Sequence, residues 1–245
     1  MQINDISERG MELLKRILRI VAFGTCLGLV LLIVQRGFQI DEEVFMHTYW
    51  ITAPAIIIGA VLINVLYNIS YQRKMRRIVA LLNTGQSGEY IAEVEKLLQT
   101  ARGQGLRNLL KLNLAAGYIE IKQYDKSISL LEDLAGKRLP GSTAKMICRL
   151  NLCMSYFYAA QYEKAMSLYN ESQKIFESYR SDKTYGGNIA VADILAAMRN
   201  GQYDQAERLL DTARRFWNDP RLQNAFQEID KSLVELKTEN KQPEK

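Results

Sequence analysis

Apolar residues are laid down in two different ways along this chain. Over the first seventy positions they come in blocks, and beyond that they recur with helical spacing. Ile17 to Val34 is an eighteen-residue run whose one charge is Arg19, and Tyr49 to Ile69 carries no charge over twenty-one residues. Roughly 20 apolar residues suffice to cross the hydrocarbon of a bilayer as a helix, provided Arg19 extends to the headgroups. A cleaved signal peptide would end in a small-residue site, whereas Gln35-Arg36-Gly37-Phe38 follows the first run, so a retained anchor is expected. Pro54 is placed in the first turns of the second span, with Tyr49 and Trp50 at one end and Tyr67 and Tyr71 at the other as interfacial aromatics. The pattern thus predicts a cytoplasmic segment at 1–16, transmembrane helices at 17–34 and 49–70, and a short extracytoplasmic loop at 35–48. Together these form a transmembrane helical hairpin.

Residues 71–236 read differently. The phrase Gln161-Tyr162-Glu163-Lys164-Ala165 returns as Gln202-Tyr203-Asp204-Gln205-Ala206, as Gln123-Tyr124-Asp125-Lys126-Ser127, and more faintly around Glu89-Tyr90. Each copy lies between two apolar helical segments, at intervals of 34 to 41 residues, the period of stacked helical hairpins. Asp219-Pro220 is an N-cap followed by proline at the first helical position. The helix it opens carries Leu222, Phe226, Ile229, Leu233 and Leu236 as one apolar stripe, which suits a terminal capping helix. The polar residues 237–245 are expected to be disordered.

This region resembles a tetratricopeptide-repeat (TPR) array. The resemblance rests on small residues nine before the turn aromatic (Ala115, Cys153), bulky ones six before it (Tyr118, Tyr156), and Ser127, Ala165 and Ala206 three after. The first unit, about 74–104, has Glu93 where alanine belongs. The expected fold is all-α: an N-terminal transmembrane hairpin, then an α-solenoid of three to four TPR-like helix-turn-helix repeats and a capping helix. The resemblance implies that the turn tyrosines plug the gap between hairpins and that the first helices line a concave groove. Its groove-facing places, twelve, eight and five before each turn tyrosine, hold Leu112, Ala116 and Ile119, then Leu150, Met154 and Phe157, then Val191, Leu195 and Met198. These could accept an amphipathic helix or apolar peptide, with the methionines giving an adaptable surface. Equally, they could be ordinary core, closed over by the last helix. The Lys and Asn residues with which chaperone-binding relatives clamp a carboxylate are missing there.

Charge and chemistry narrow the function. Of the net charge of +5, much sits in Arg73, Lys74, Arg76 and Arg77, a cluster beside the apolar run and not an extended surface for nucleic acid. Arg9, Lys15, Arg16 and Arg19 flank the other end of the hairpin, so both termini and the repeats are expected in the cytoplasm, and His47 outside. With no organelle address visible, the expected location is a bacterial plasma membrane. One histidine and three scattered cysteines (Cys26, Cys148, Cys153) give no metal site, and the thiols are expected to be free, reduced and buried. No phosphate loop, His-Glu-x-x-His or Gly-x-Ser-x-Gly is present, so neither cofactor nor catalysis is expected. Gly103-x-Gly105 and Gly186-Gly187 read as helix stops. Gly24-x-x-x-Gly28 could join two copies into a homodimer, or let the first span pack on the second.

The expected function is therefore a membrane-anchored, non-catalytic scaffold or adaptor that presents a repeat array to a protein or peptide partner. The alternative is a structural or regulatory subunit that docks into a larger membrane complex through its hairpin.

Overall fold

The computed structural model describes Gly24 and residues 28–31, 33–37, 41–137 and 139–239. Among these every regular element is helical: α1 (Gly28–Gly37), α2 (Glu42–Asn83), α3 (Ser87–Thr100), α4 (Gln104–Glu120), α5 (Tyr124–Ala135), α6 (Gly141–Tyr158), α7 (Tyr162–Glu177), α8 (Gly186–Arg199), α9 (Tyr203–Phe216) and α10 (Pro220–Glu239). Residues 1–67 and 68–245 form two compact units. Most of the expected first span, 17–34, and Cys26 lie outside the described residues.

Helix α2 is the one helix among the described residues long and apolar enough to cross a membrane, by length and composition. Ile56, Ile57, Ile58, Leu62, Ile63 and Leu66 are all exposed, so its apolar side chains are not spent on a core. The helix runs past the expected span, 49–70, at both ends. The helix begins at Glu42, because Asp41 caps it: the Asp41 carboxylate accepts from the Glu43 N–H at 2.9 Å, and its carbonyl from the Phe45 N–H at 2.9 Å. Residues 42–48 of the expected loop therefore belong to α2, His47 included, and 35–37 to α1, while Pro54 lies in the α2 interior and not in its first turns. At that position a proline removes the bond to the carbonyl four residues back. At the other end α2 runs on through the cationic cluster to Asn83.

Four turns share one backbone conformation. Gly85, Lys122, Ala160 and Gly201 have φ of 75°, 58°, 57° and 72°, each just before a glutamine. The N–H groups of Gln86, Gln123, Gln161 and Gln202 bond back to the carbonyls of Leu81, Tyr118, Tyr156 and Ala197 at 2.8–2.9 Å, the double-bonded helix stop that a left-handed residue permits. Each glutamine carbonyl then accepts from the residue four on, namely Tyr90, Ser127, Ala165 or Ala206, and starts the next helix.

This geometry corrects the register of the first unit. Ser87, not Tyr90, occupies the turn-aromatic place, and Tyr90 sits where the other units have Ser127, Ala165 and Ala206. All four of these residues are buried. A tyrosine fits a small-residue place because Gly117 faces it: a Cβ there would lie 2.8 Å from the Tyr90 ring and 2.9 Å from Ile91. The Tyr90 hydroxyl donates to the Asn113 carbonyl at 2.9 Å, which satisfies its polar end. The first helix of this unit is the last part of α2, with Tyr71 and Ile78 buried.

Tyr124 and Tyr162 reach the following hairpin. Tyr124 stacks on Tyr158 at 5.4 Å between centroids, and Tyr162, though 39% exposed, lies under the Arg199 guanidinium at 4.4 Å. Tyr158 and Arg199 stand at the same place in successive units. A second set also recurs. Tyr118 and Tyr156 donate to Glu95 and Glu132 of the preceding hairpin at 3.0 and 2.6 Å, and each ring lies under the ammonium of its own unit's lysine, Lys126 or Lys164.

Each helix from α3 to α10 packs on its chain neighbour, and α4 meets α6, α6 meets α8, and α8 meets α10. The helix at the end starts at Pro220, as its cap predicts: the Asp219 carboxylate accepts from the Arg221 N–H at 2.9 Å. Burial pushes the Asp219 carboxyl up, but the Arg221 side-chain and backbone bonds together hold it below the usual range. Helix α10 continues to Glu239, so the first residues of the expected tail are helical.

Cys148 and Cys153 are free and buried, their Sγ atoms lying against the carbonyls of Leu131 and Ala165. Burial pushes their thiols up to about 11 and about 12. At pH 8 almost no thiolate forms, so neither should react with an aromatic disulfide reagent while the protein is folded. In a Cys26→Ser background the expected result is no labelling before denaturation and two equivalents after it. Prompt labelling of the folded protein would contradict this packing.

Candidate functional site

The nine expected groove positions fall on α4, α6 and α8, three helices that contact each other in succession. They do not form an open surface. Leu112, Leu150, Met154, Phe157, Val191 and Met198 are buried, while Ala116, Ile119 and Leu195 are half-buried.

Burial divides them into two groups. Leu112 and Phe157 belong to a core with Ala115, Leu131, Cys153 and Tyr156, where the first two complete hairpins meet. Leu150, Met154, Val191 and Met198 belong to a second core that also contains Phe226, Ile229 and Leu233 of α10. Leu195 packs against both. Leu222 and Leu236 of the α10 stripe are half-buried against the second core, so the whole stripe faces inward. Four of the nine positions that would receive a helical ligand are thus in one cluster with α10.

Polar contacts fix α10 along this course. Arg214 of α9 donates to the Phe226 carbonyl at 3.3 Å and to the Asp230 carboxylate at 2.9 Å, and Lys237 bonds Glu207 at 2.7 Å. Farther across, Glu228 meets Lys122 of the first full hairpin's turn at 3.0 Å. Its carboxylate raises the Lys122 ammonium, and burial followed by the charges of Tyr124 and Glu228 raises the Tyr158 hydroxyl. The mid-point of α10 therefore stands beside the α4–α5 turn, although 106 residues separate the partners in sequence. Both side chains of this pair are about two-thirds exposed, so the contact marks position more than it adds stability.

Ala116 and Ile119 take part in neither core. The corrected register adds Met75, Val79 and Leu82 of α2 to the same inward places, all half-buried. Aligning on Tyr90 hid them; the Gly-Gln pair at Gly85-Gln86 is the signal that would have found them.

A cavity of about 240 Å³ lies apart from these positions, lined by Ala135, Lys137, Leu139, Lys145, Cys148 and Arg149. Among the described residues no three His, Cys, Asp or Glu side chains cluster as metal ligands. A Cβ on Gly24 or Gly28 would meet nothing within 4 Å among the described residues.

Gly186 and Gly187 do not stop a helix. They open α8, and a Cβ on Gly186 would overlap the Arg180 carbonyl oxygen and lie 2.6 Å from the Trp217 ring. One on Gly187 would overlap Leu222. These two glycines admit the α9–α10 connection to the core.

No protein-family model, curated protein or solved structure matches this chain.

Proposed function

We propose that the chain is a membrane-anchored, non-catalytic adaptor with a TPR-like array on the cytoplasmic side, whose inner face takes an amphipathic helix. The observation that carries this reading is the shared core of Leu150, Met154, Val191 and Met198 with the apolar stripe of α10. A surface that accepts Phe226, Ile229 and Leu233 from a helix of this chain has the shape and chemistry to accept the same pattern from another. Partner contact then begins where the chain's own helix leaves inner positions outside both cores, at Ala116 and Ile119. The exposed apolar length of α2, preceded by Asp41, Glu42 and Glu43 and followed by four cations, supports its role as anchor and the cytoplasmic orientation of the repeats.

The test is photo-crosslinking in intact membranes, with a reactive residue at Ala116 or Ile119 compared with one at Ile57. The expected result is a discrete protein adduct from the two inner positions. Adducts from Ile57 alone would replace this reading with a subunit that docks through its membrane helix. Orientation is checked separately with an impermeant thiol reagent on whole cells: Glu42→Cys should label and Lys145→Cys should not, and the reverse would overturn the topology.

A further inference from the structure

Beyond its apolar stretch, α2 has two unlike faces. Tyr71 and Ile78 are buried against the repeats, while Arg73, Lys74, Arg76 and Arg77 all project, exposed, from the other side. At 100° per residue these four span one arc of about 160° on the side away from the buried pair, with Lys74 at the edge nearest Tyr71 and Ile78. The sequence has no Asp or Glu from Val44 to Gly88, and among the described residues no carboxylate pairs with any of the four. Lys74 lies over the Tyr71 ring at 5.5 Å, a contact that leaves its charge in place. Helical rise puts Arg73 about 6 Å and Arg77 about 12 Å beyond Ile69, the depth of the headgroup layer and its water boundary.

We propose that this face binds the phosphate headgroups of anionic phospholipids in the leaflet where the apolar stretch ends. The inference rests on the reading that α2 crosses a membrane. Four unpaired cations lie together on one side of a helix whose buried side is anchored in a fold, so they act as one cluster. Their attraction to anionic lipid is of the kind that adds up residue by residue and fades with salt.

The test uses full-length protein in nanodiscs made from equal amounts of phosphatidylcholine and phosphatidylglycerol, with retained lipid read by native mass spectrometry. Phosphatidylglycerol should be enriched on the order of ten-fold at low salt. The preference should vanish in R73Q/K74Q/R76Q/R77Q, whose fold is checked by unchanged Trp217 emission. Equal retention of the two lipids, or an undiminished preference in the quadruple variant, overturns the proposal. So does a preference abolished by millimolar inorganic phosphate, which would mark a site for the free ion. Failure to enter any bilayer refutes the membrane reading itself, a result distinguishable from entry without lipid preference.

Discussion

Replacing Phe226 with alanine should lower the unfolding free energy by about 3–5 kcal/mol, the largest loss expected from a single truncation in the C-terminal half. Phe226 is fully buried and belongs to the core that joins α10 to Leu150, Met154, Val191 and Met198. Deleting its ring removes the transfer gain and leaves a cavity between elements held from several sides. The polar contacts of α10 offer little compensation. Lys122–Glu228 is exposed and screened and Lys237–Glu207 partly so, which leaves the Arg214 bonds and the Gln223 amide, donating to the Trp217 carbonyl at 2.6 Å, to hold the helix. Val234, on the same helix but 57% exposed, supplies the control: Val234→Ala should stay within about 0.5 kcal/mol. Urea unfolding of the detergent-solubilised full chain, followed by Trp217 emission in a Trp50→Phe background, measures both. A loss under about 1 kcal/mol for Phe226→Ala would mean that α10 is not seated in this core.

Gly186→Ala is the second large effect, from the opposite fault. The added methyl meets the Arg180 carbonyl, which is backbone, and the Trp217 ring, so no flexible side-chain end can give way. Overpacking of this kind costs about 1–3 kcal/mol. Arg180 cannot shift freely, because its guanidinium is ion-paired with Asp193, itself bonded by the Tyr169 hydroxyl at 2.7 Å. Gly187→Ala should cost less, since the atom it overlaps is the end of the Leu222 side chain. Gly136→Ala, with φ of −77° and open space around it, should be neutral or slightly stabilising. Near-ultraviolet circular dichroism of Trp217 alongside the melt would separate local displacement from global loss. Equal melting of the Gly186→Ala and Gly136→Ala proteins would sink the argument.

The helices and most turns were legible in the sequence because they depend on local chemistry. Asp219-Pro220 announces its helix start, and the α10 stripe is a simple periodicity whose partner can be anything apolar. The glutamine-tyrosine phrases mark three turns for the same reason. The first unit escaped because tyrosine stands in a small-residue place, and the compensating Gly117 is 27 positions away in sequence. Pattern alone also could not decide whether the inner apolar positions face a partner or the chain itself. Leu150 and Met198 look the same on a helix whether α10 covers them or not. The role of Gly186 and Gly187 was hidden likewise, since a missing Cβ signifies close approach only when Trp217 is known to lie there.

The four matched turns have one more consequence. Gly85 and Gly201 adopt the left-handed conformation without strain, whereas Lys122 and Ala160 adopt it against their Cβ atoms. The two middle turns therefore carry an unspent reserve. Ala160→Gly, which removes no long-range contact of the kind Lys122 makes with Glu228, should raise stability by about 1 kcal/mol at that turn alone. The outer turns have already drawn on this reserve, so the helical region can be stabilised from its centre without touching its inner apolar positions.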